Sequence, residues 1–127
     1  MGAVSTLVLG ELQRIDGVQS LIVIGRLSEE LSDGFPGTVR QFLDDSALMN
    51  MLSATEGSDA VVFASERERN TVESRALGHA VAAVARRIAI VITYRDQAEV
   101  IVPLVELKRG MLSAESDARY VVYGARS

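Results

Sequence analysis

Val4, Leu7, Val8, Leu12 and Ile15 recur at helical spacing, which predicts a helix over 4–16, and Gly17 stands where a helix end favours a left-handed residue. Leu21-Ile22-Val23-Ile24 is too short for a helix, is β-branched and is bounded by Gly17 and Gly25. It reads as a strand buried on both faces. Residues 26–37 are polar and turn-rich, with Leu27, Leu31 and Phe35 as their apolar anchors, and predict a loop with room for one helical turn. Thr38 followed by Gln41 makes a capping-box pattern. With Val39, Phe42, Leu43, Leu48, Met49 and Leu52 it predicts a helix from 38 to about 54, broken near Asp44-Asp45-Ser46.

Ala60-Val61-Val62-Phe63 is a second buried strand, leading directly into a helix that starts at either of two capping patterns, Ser65 with Glu68 or Asn70 with Glu73. Val72, Ala76, Leu77, Ala80, Ala83, Val84 and Arg87 share one face of that helix, and Gly78 falls on the opposite side. Ile88–Ile92 and Val100–Val102 flank Arg95-Asp96-Gln97 and predict a hairpin, with Pro103 ending its second strand. Leu104–Leu112 suits a short helix or a continued strand, and Tyr120–Tyr123 is the last strand. This order predicts an α/β (or α+β) fold, a single three-layer-like domain over 1–127. Its mixed central sheet has about five strands and its layers hold about two to four helices.

The length of 127 residues suits one domain, and 48% hydrophobic against 24% charged residues suits a globular chain rather than a disordered one. A net charge of −4 argues against a nucleic-acid backbone as partner, because that binding needs a surplus of Lys and Arg. Lys108 is the sole lysine, so the basic side chains are almost all planar guanidinium forks suited to carboxylates or phosphates. With no cysteine there is neither a disulfide framework nor a thiolate site. The Met1–Leu9 stretch has no basic leader, and Glu11 and Arg14 interrupt the apolar run well short of a membrane span. The expectation is a cytoplasmic protein with no membrane association.

The chain has no GxxxxGK[ST] loop, GxGxxG turn, GxSxG elbow or HExxH helix, and His79 is its single histidine. No catalytic residue, metal site or cofactor is therefore expected. The best ligand candidate is the strand-to-helix junction Ser65, Arg67, Arg69 and Thr71. A helix N-terminus beyond a strand end presents unpaired backbone donors to an anion there, and Arg95 from another strand end is a helper. A second candidate is a partner-binding strip of Arg75, His79 and Arg86, which lie within about 40° of one another on a helical wheel. His79 borders the apolar stripe and is expected to be partly buried. The carboxylates Glu29, Glu30, Asp33, Asp44 and Asp45 match no defined metal loop.

Glu11–Val18 leading into Leu21–Ile24 resembles the helix-to-strand opening of roadblock-type domains, but the later element order departs from theirs. Asp59–Val62, Ser74–His79 and Ile90–Ile92 in succession resemble diadenylate cyclase catalytic domains, without the Asp-Gly-Ala and Arg-His-Arg motifs of that activity. Neither resemblance assigns a family. A rich fold signal beside a bare chemical inventory predicts a non-catalytic interaction or scaffold domain that associates with itself or a protein partner. The alternative is a domain holding a small anionic ligand, nucleotide-like or a carboxylate, at Ser65–Thr71.

Overall fold

The computed structural model describes residues 3–25, 28–65, 67–94, 97–112 and 118–124. Ten elements follow in order: α1 (Ala3–Gln13), β1 (Ser20–Gly25), α2 (Ser28–Gly34), β2 (Thr38–Phe42), α3 (Leu48–Ala54), β3 (Ser58–Ala64), α4 (Thr71–Val84), β4 (Ala85–Thr93), β5 (Val105–Met111) and β6 (Arg119–Gly124). The strands form one mixed sheet in the order β2-β1-β3-β4-β6-β5. β1 to β4 run parallel, while β6 pairs antiparallel with both β4 and β5. The α/β expectation holds, with six strands rather than about five.

Strand alternation divides the core into two layers. Ile22, Ile24, Val61, Phe63, Ala89, Val91, Val121 and Tyr123 face α3, α4 and the buried valines 100 and 102. Leu21, Val23, Ala60, Val62, Ile88, Ile90, Ile92, Tyr120 and Val122 face α1, Leu31 and Phe35. Continuous apolar runs are what a parallel sheet covered on both faces demands.

The predicted helix over 38–54 is instead β2 followed by α3. Thr38–Phe42 pairs with Ser20–Ile24 as an edge strand, and Arg40 reaches back to the Thr55 hydroxyl (2.7 Å) and the Ser58 hydroxyl (2.7 Å). The expected loop over 26–37 holds α2, anchored by the fully buried Leu31. The 88–102 hairpin does not form. β4 pairs with β3 and β6, and Val100 and Val102 plug the core from a segment outside the ladder. Leu104–Leu112 contributes a strand, β5.

The second of the two capping patterns starts α4. Asn70 Oδ1 accepts from Glu73 N–H at 2.8 Å, and Asn70 Nδ2 donates to the Glu73 carboxylate at 2.9 Å. The buried face of α4 is Ser74, Leu77, Gly78, Val81 and Val84, so the predicted face is displaced around the helix. Val72 is 77% exposed, and Gly78 is buried against the 97–104 segment. A Cβ on Gly78 would lie 2.0 Å from the Ile101 carbonyl oxygen, so only glycine allows this contact.

Candidate functional site at the carboxyl rim of the sheet

The chain leaves β1 for β2 on one side and later enters β3 on the other, so the connections diverge between β1 and β3. In open α/β sheets ligands bind outside the carboxyl ends of the strands at such a switch point. Gly25 ends β1 there at φ +116°, opposite Ala64, and a Cβ would fall 1.7 Å from the Ala64 carbonyl oxygen. The Gly25 carbonyl accepts from Gln41 Nε2 of β2 at 3.0 Å, which fixes the turn from its other side.

Beyond β2 stands Asp44, whose carboxylate accepts from Arg69 in a pair whose side chains are both nearly buried. The Arg69 guanidinium also lies 5.1 Å from the centroid of the Phe63 ring, which favours the cation. Arg67 approaches the second oxygen of Asp44 at 3.6 Å from a more exposed position. The Ser65 hydroxyl accepts from Arg67 N–H at 3.1 Å, turning the chain between β3 and α4. Gln97 ties this turn to the exit of β4: its Nε2 donates to the Arg67 carbonyl at 3.3 Å, and its Oε1 accepts from Tyr94 N–H at 3.2 Å.

Ser65, Arg67, Arg69 and Thr71 thus stand together at the exit of β3, but the two arginines converge on Asp44 rather than on open space. Arg95 lies outside the described residues. Arg75 and His79 do share a side of α4, bordering one cavity. Arg86 does not join them, because the helix ends at Val84 and Arg86 belongs to β4, close to Gly57 at the opposite rim. The polar strip of three is corrected to two, and His79 is exposed rather than partly buried.

Asp44, weighed in the sequence only among the carboxylates for a metal, is here the meeting point of the two arginines. Its signal is its distance from Gly25: an acidic residue about 20 positions past the glycine turn lies at the end of the next strand. Farther along the same rim, Thr93, Glu99, Arg109, Met111, Arg119 and Tyr120 border a cavity of about 180 Å³. Glu99 and Glu106 flank Arg109, and these carboxylates, Glu106 foremost, make its guanidinium hold its proton more tightly than usual. The same contact lowers the Glu106 carboxyl below its ordinary value.

No family model and no curated protein matches the sequence. Solved structures do match the fold. The magnesium protoporphyrin IX methyltransferase of Synechocystis PCC 6803 with bound SAM superposes with a TM-score of 0.71 at 13% identity, over 97% of this chain and 78% of that one. A TehB-like SAM-dependent methyltransferase from Corynebacterium glutamicum gives 0.54 at 13% identity, over 96% and 88%. An N-methyltransferase of Haemonchus contortus in complex with S-adenosylhomocysteine gives 0.64 at 9% identity, over 100% of this chain and 38% of that one. The shared fold is the Rossmann-like α/β fold of SAM-dependent methyltransferases. The expectation of a non-catalytic scaffold is corrected here: the folds that this chain resembles belong to enzymes, two of them seen with a small molecule bound.

Proposed function

We propose that the chain is a nucleoside-cofactor-binding domain of the methyltransferase type, with S-adenosylmethionine held at the carboxyl ends of β1, β2 and β3. The observation that carries this reading is Asp44, a carboxylate two residues beyond β2 and 19 positions past Gly25, which meets Arg67 and Arg69 from the exit of β3. A carboxylate there accepts hydrogen bonds from vicinal ribose hydroxyls, and its two oxygens offer about four acceptor sites, more than Arg69 and Arg67 occupy. Gly25 is followed by Arg26, Leu27 and Ser28, without the further glycines of a pyrophosphate cradle, which favours a phosphate-free nucleoside over a dinucleotide.

Bound at this place, the sulfonium of S-adenosylmethionine would supply an electrophilic methyl group. In this reading Gly25 brings backbone to the crevice, Asp44 fixes the ribose, and Ser65 shapes the turn above β3. The rim cavity beside Thr93 and Tyr120 receives the acceptor. Calorimetric titration of the wild-type chain with S-adenosylmethionine and S-adenosylhomocysteine is the test. Saturable binding is expected, weakened roughly tenfold or more in Asp44→Asn. A folded wild-type chain that binds neither compound at millimolar concentration rejects the reading.

Among the described residues no helix is long and apolar enough to cross a membrane. The cysteine-free composition is compatible with a cytoplasmic location. The exposed Val105, Leu107 and Met111 on edge strand β5 support self-association through that strand.

A further inference from the structure

A second cavity, of about 280 Å³, runs beside α4, bordered by Ser74, Arg75 and His79 on the helix and by Glu99, Ile101 and Pro103 on the 97–104 segment. Ser74 is 4% exposed, and its hydroxyl has no hydrogen-bond partner among the described residues. Buried polar side chains in folded proteins are almost always paired, so an orphaned hydroxyl on a residue that borders the cavity points to a partner that the chain itself does not supply. Arg75 and His79 are both exposed, stand one helical turn apart, and form no ion pair among the described residues. The carboxylate of Glu99 has its own counter-charge in Arg109 at 3.5 Å. Ile101 and Pro103 supply an apolar wall, and the backbone contact at Gly78 fixes the spacing between that wall and the helix.

We propose that this cavity binds a small organic acid with an apolar body. The carboxylate pairs with the Arg75 guanidinium and accepts a hydrogen bond from the Ser74 hydroxyl, while the body packs on Ile101 and Pro103. A volume at the small end of ligand pockets suits a single ring or a short branched chain. The Arg75 guanidinium selects a carboxylate over its neutral analogue, because only the charged form gains the charge-assisted bond, and Arg109 offsets the Glu99 carboxylate on the same wall. The site is distinct from Gly25 and Asp44, and its test needs no nucleoside.

The test is an amide-resolved NMR titration of the full chain with phenylacetate, with 2-phenylethanol as the neutral control and no other ligand present. Saturable shifts are expected at Ser74, Arg75, His79 and Ile101, with 2-phenylethanol bound about tenfold more weakly or worse. Arg75→Ala is expected to weaken phenylacetate binding by about tenfold. Ser74→Ala is expected to weaken it about fivefold while raising the melting temperature of the unliganded protein by about 3 °C, since the variant removes an unpaired hydroxyl. Absence of saturable shifts at these residues overturns the proposal, as does equal affinity for the alcohol. An unchanged or lowered melting temperature in Ser74→Ala also overturns it, because the hydroxyl is then already paired, by water or by the chain.

Discussion

The Asp44–Arg69 pair is the costliest single element of the rim to disturb, because both side chains are nearly buried. Arg69→Met removes the cation over Phe63 and leaves a nearly buried carboxylate with only the looser Arg67 contact. A loss of about 3 kcal/mol in urea unfolding is expected, whereas Arg67→Met, at a looser and more exposed contact, costs under about 0.5 kcal/mol. Comparable losses for the two variants would show that the pair is not the support of this turn. At the opposite rim Asp59 accepts from Gln19 N–H at 3.0 Å and from the Ser20 hydroxyl at 3.2 Å. The Gln19 bond foremost lowers the Asp59 carboxyl below its ordinary value. A carboxyl lowered by folding stabilises the protein above its unfolded value and loses that contribution as pH falls through the folded one. Asp59→Ala is therefore expected to lower the urea midpoint near pH ~7, with the gap to wild type narrowing as pH falls below ~4. A gap independent of pH would assign the loss to packing.

At the scale of elements, Gly78→Ala separates helix propensity from tertiary fit. Alanine gains roughly 1 kcal/mol in a helix interior, yet here its Cβ would strike the Ile101 carbonyl oxygen. Net destabilisation of about 2 kcal/mol is expected by thermal unfolding; stabilisation would mean that the 97–104 segment yields easily. The same segment explains how far the elements were legible. β1, β3, β4 and β6 show in the sequence because strands buried on both faces need unbroken apolar runs such as Leu21–Ile24 and Ala60–Phe63. β2 is an edge strand of half-buried and exposed residues, and its Thr38 and Gln41 happen to fall at capping-box spacing. β5 is exposed almost throughout, so its short Val105-Glu106-Leu107-Lys108 alternation left a helix and a strand both open. Val100 and Val102 are buried like strand residues without belonging to the ladder, which made a hairpin of a plug. The face of α4 was misplaced because its burial rests on Ser74 and Gly78, small residues that a hydrophobicity pattern ignores. At the site, the Ser65–Thr71 junction was visible, but its arginines answer to Asp44, 25 residues before Arg69, and no local pattern links them.

For the whole molecule, the exposed apolar residues of β5 offer the most direct test of assembly. Light scattering is expected to show a dimer of the wild-type chain, and the double change Val105→Lys, Leu107→Lys to give a monomer with its fold intact, as added charge on an edge strand discourages pairing. A wild-type monomer at high micromolar concentration would remove β5 as an interface. The sheet order has another consequence, for biosynthesis. β6 lies between β4 and β5 yet follows both in the chain, and Ile88–Thr93 finds its second neighbour only in Arg119–Gly124. Until Arg119–Gly124 is in place, β5 has no strand to join, and the apolar margin of β4 stands open to other chains. The outer part of the sheet therefore closes only when the last strand to be made inserts between its two neighbours.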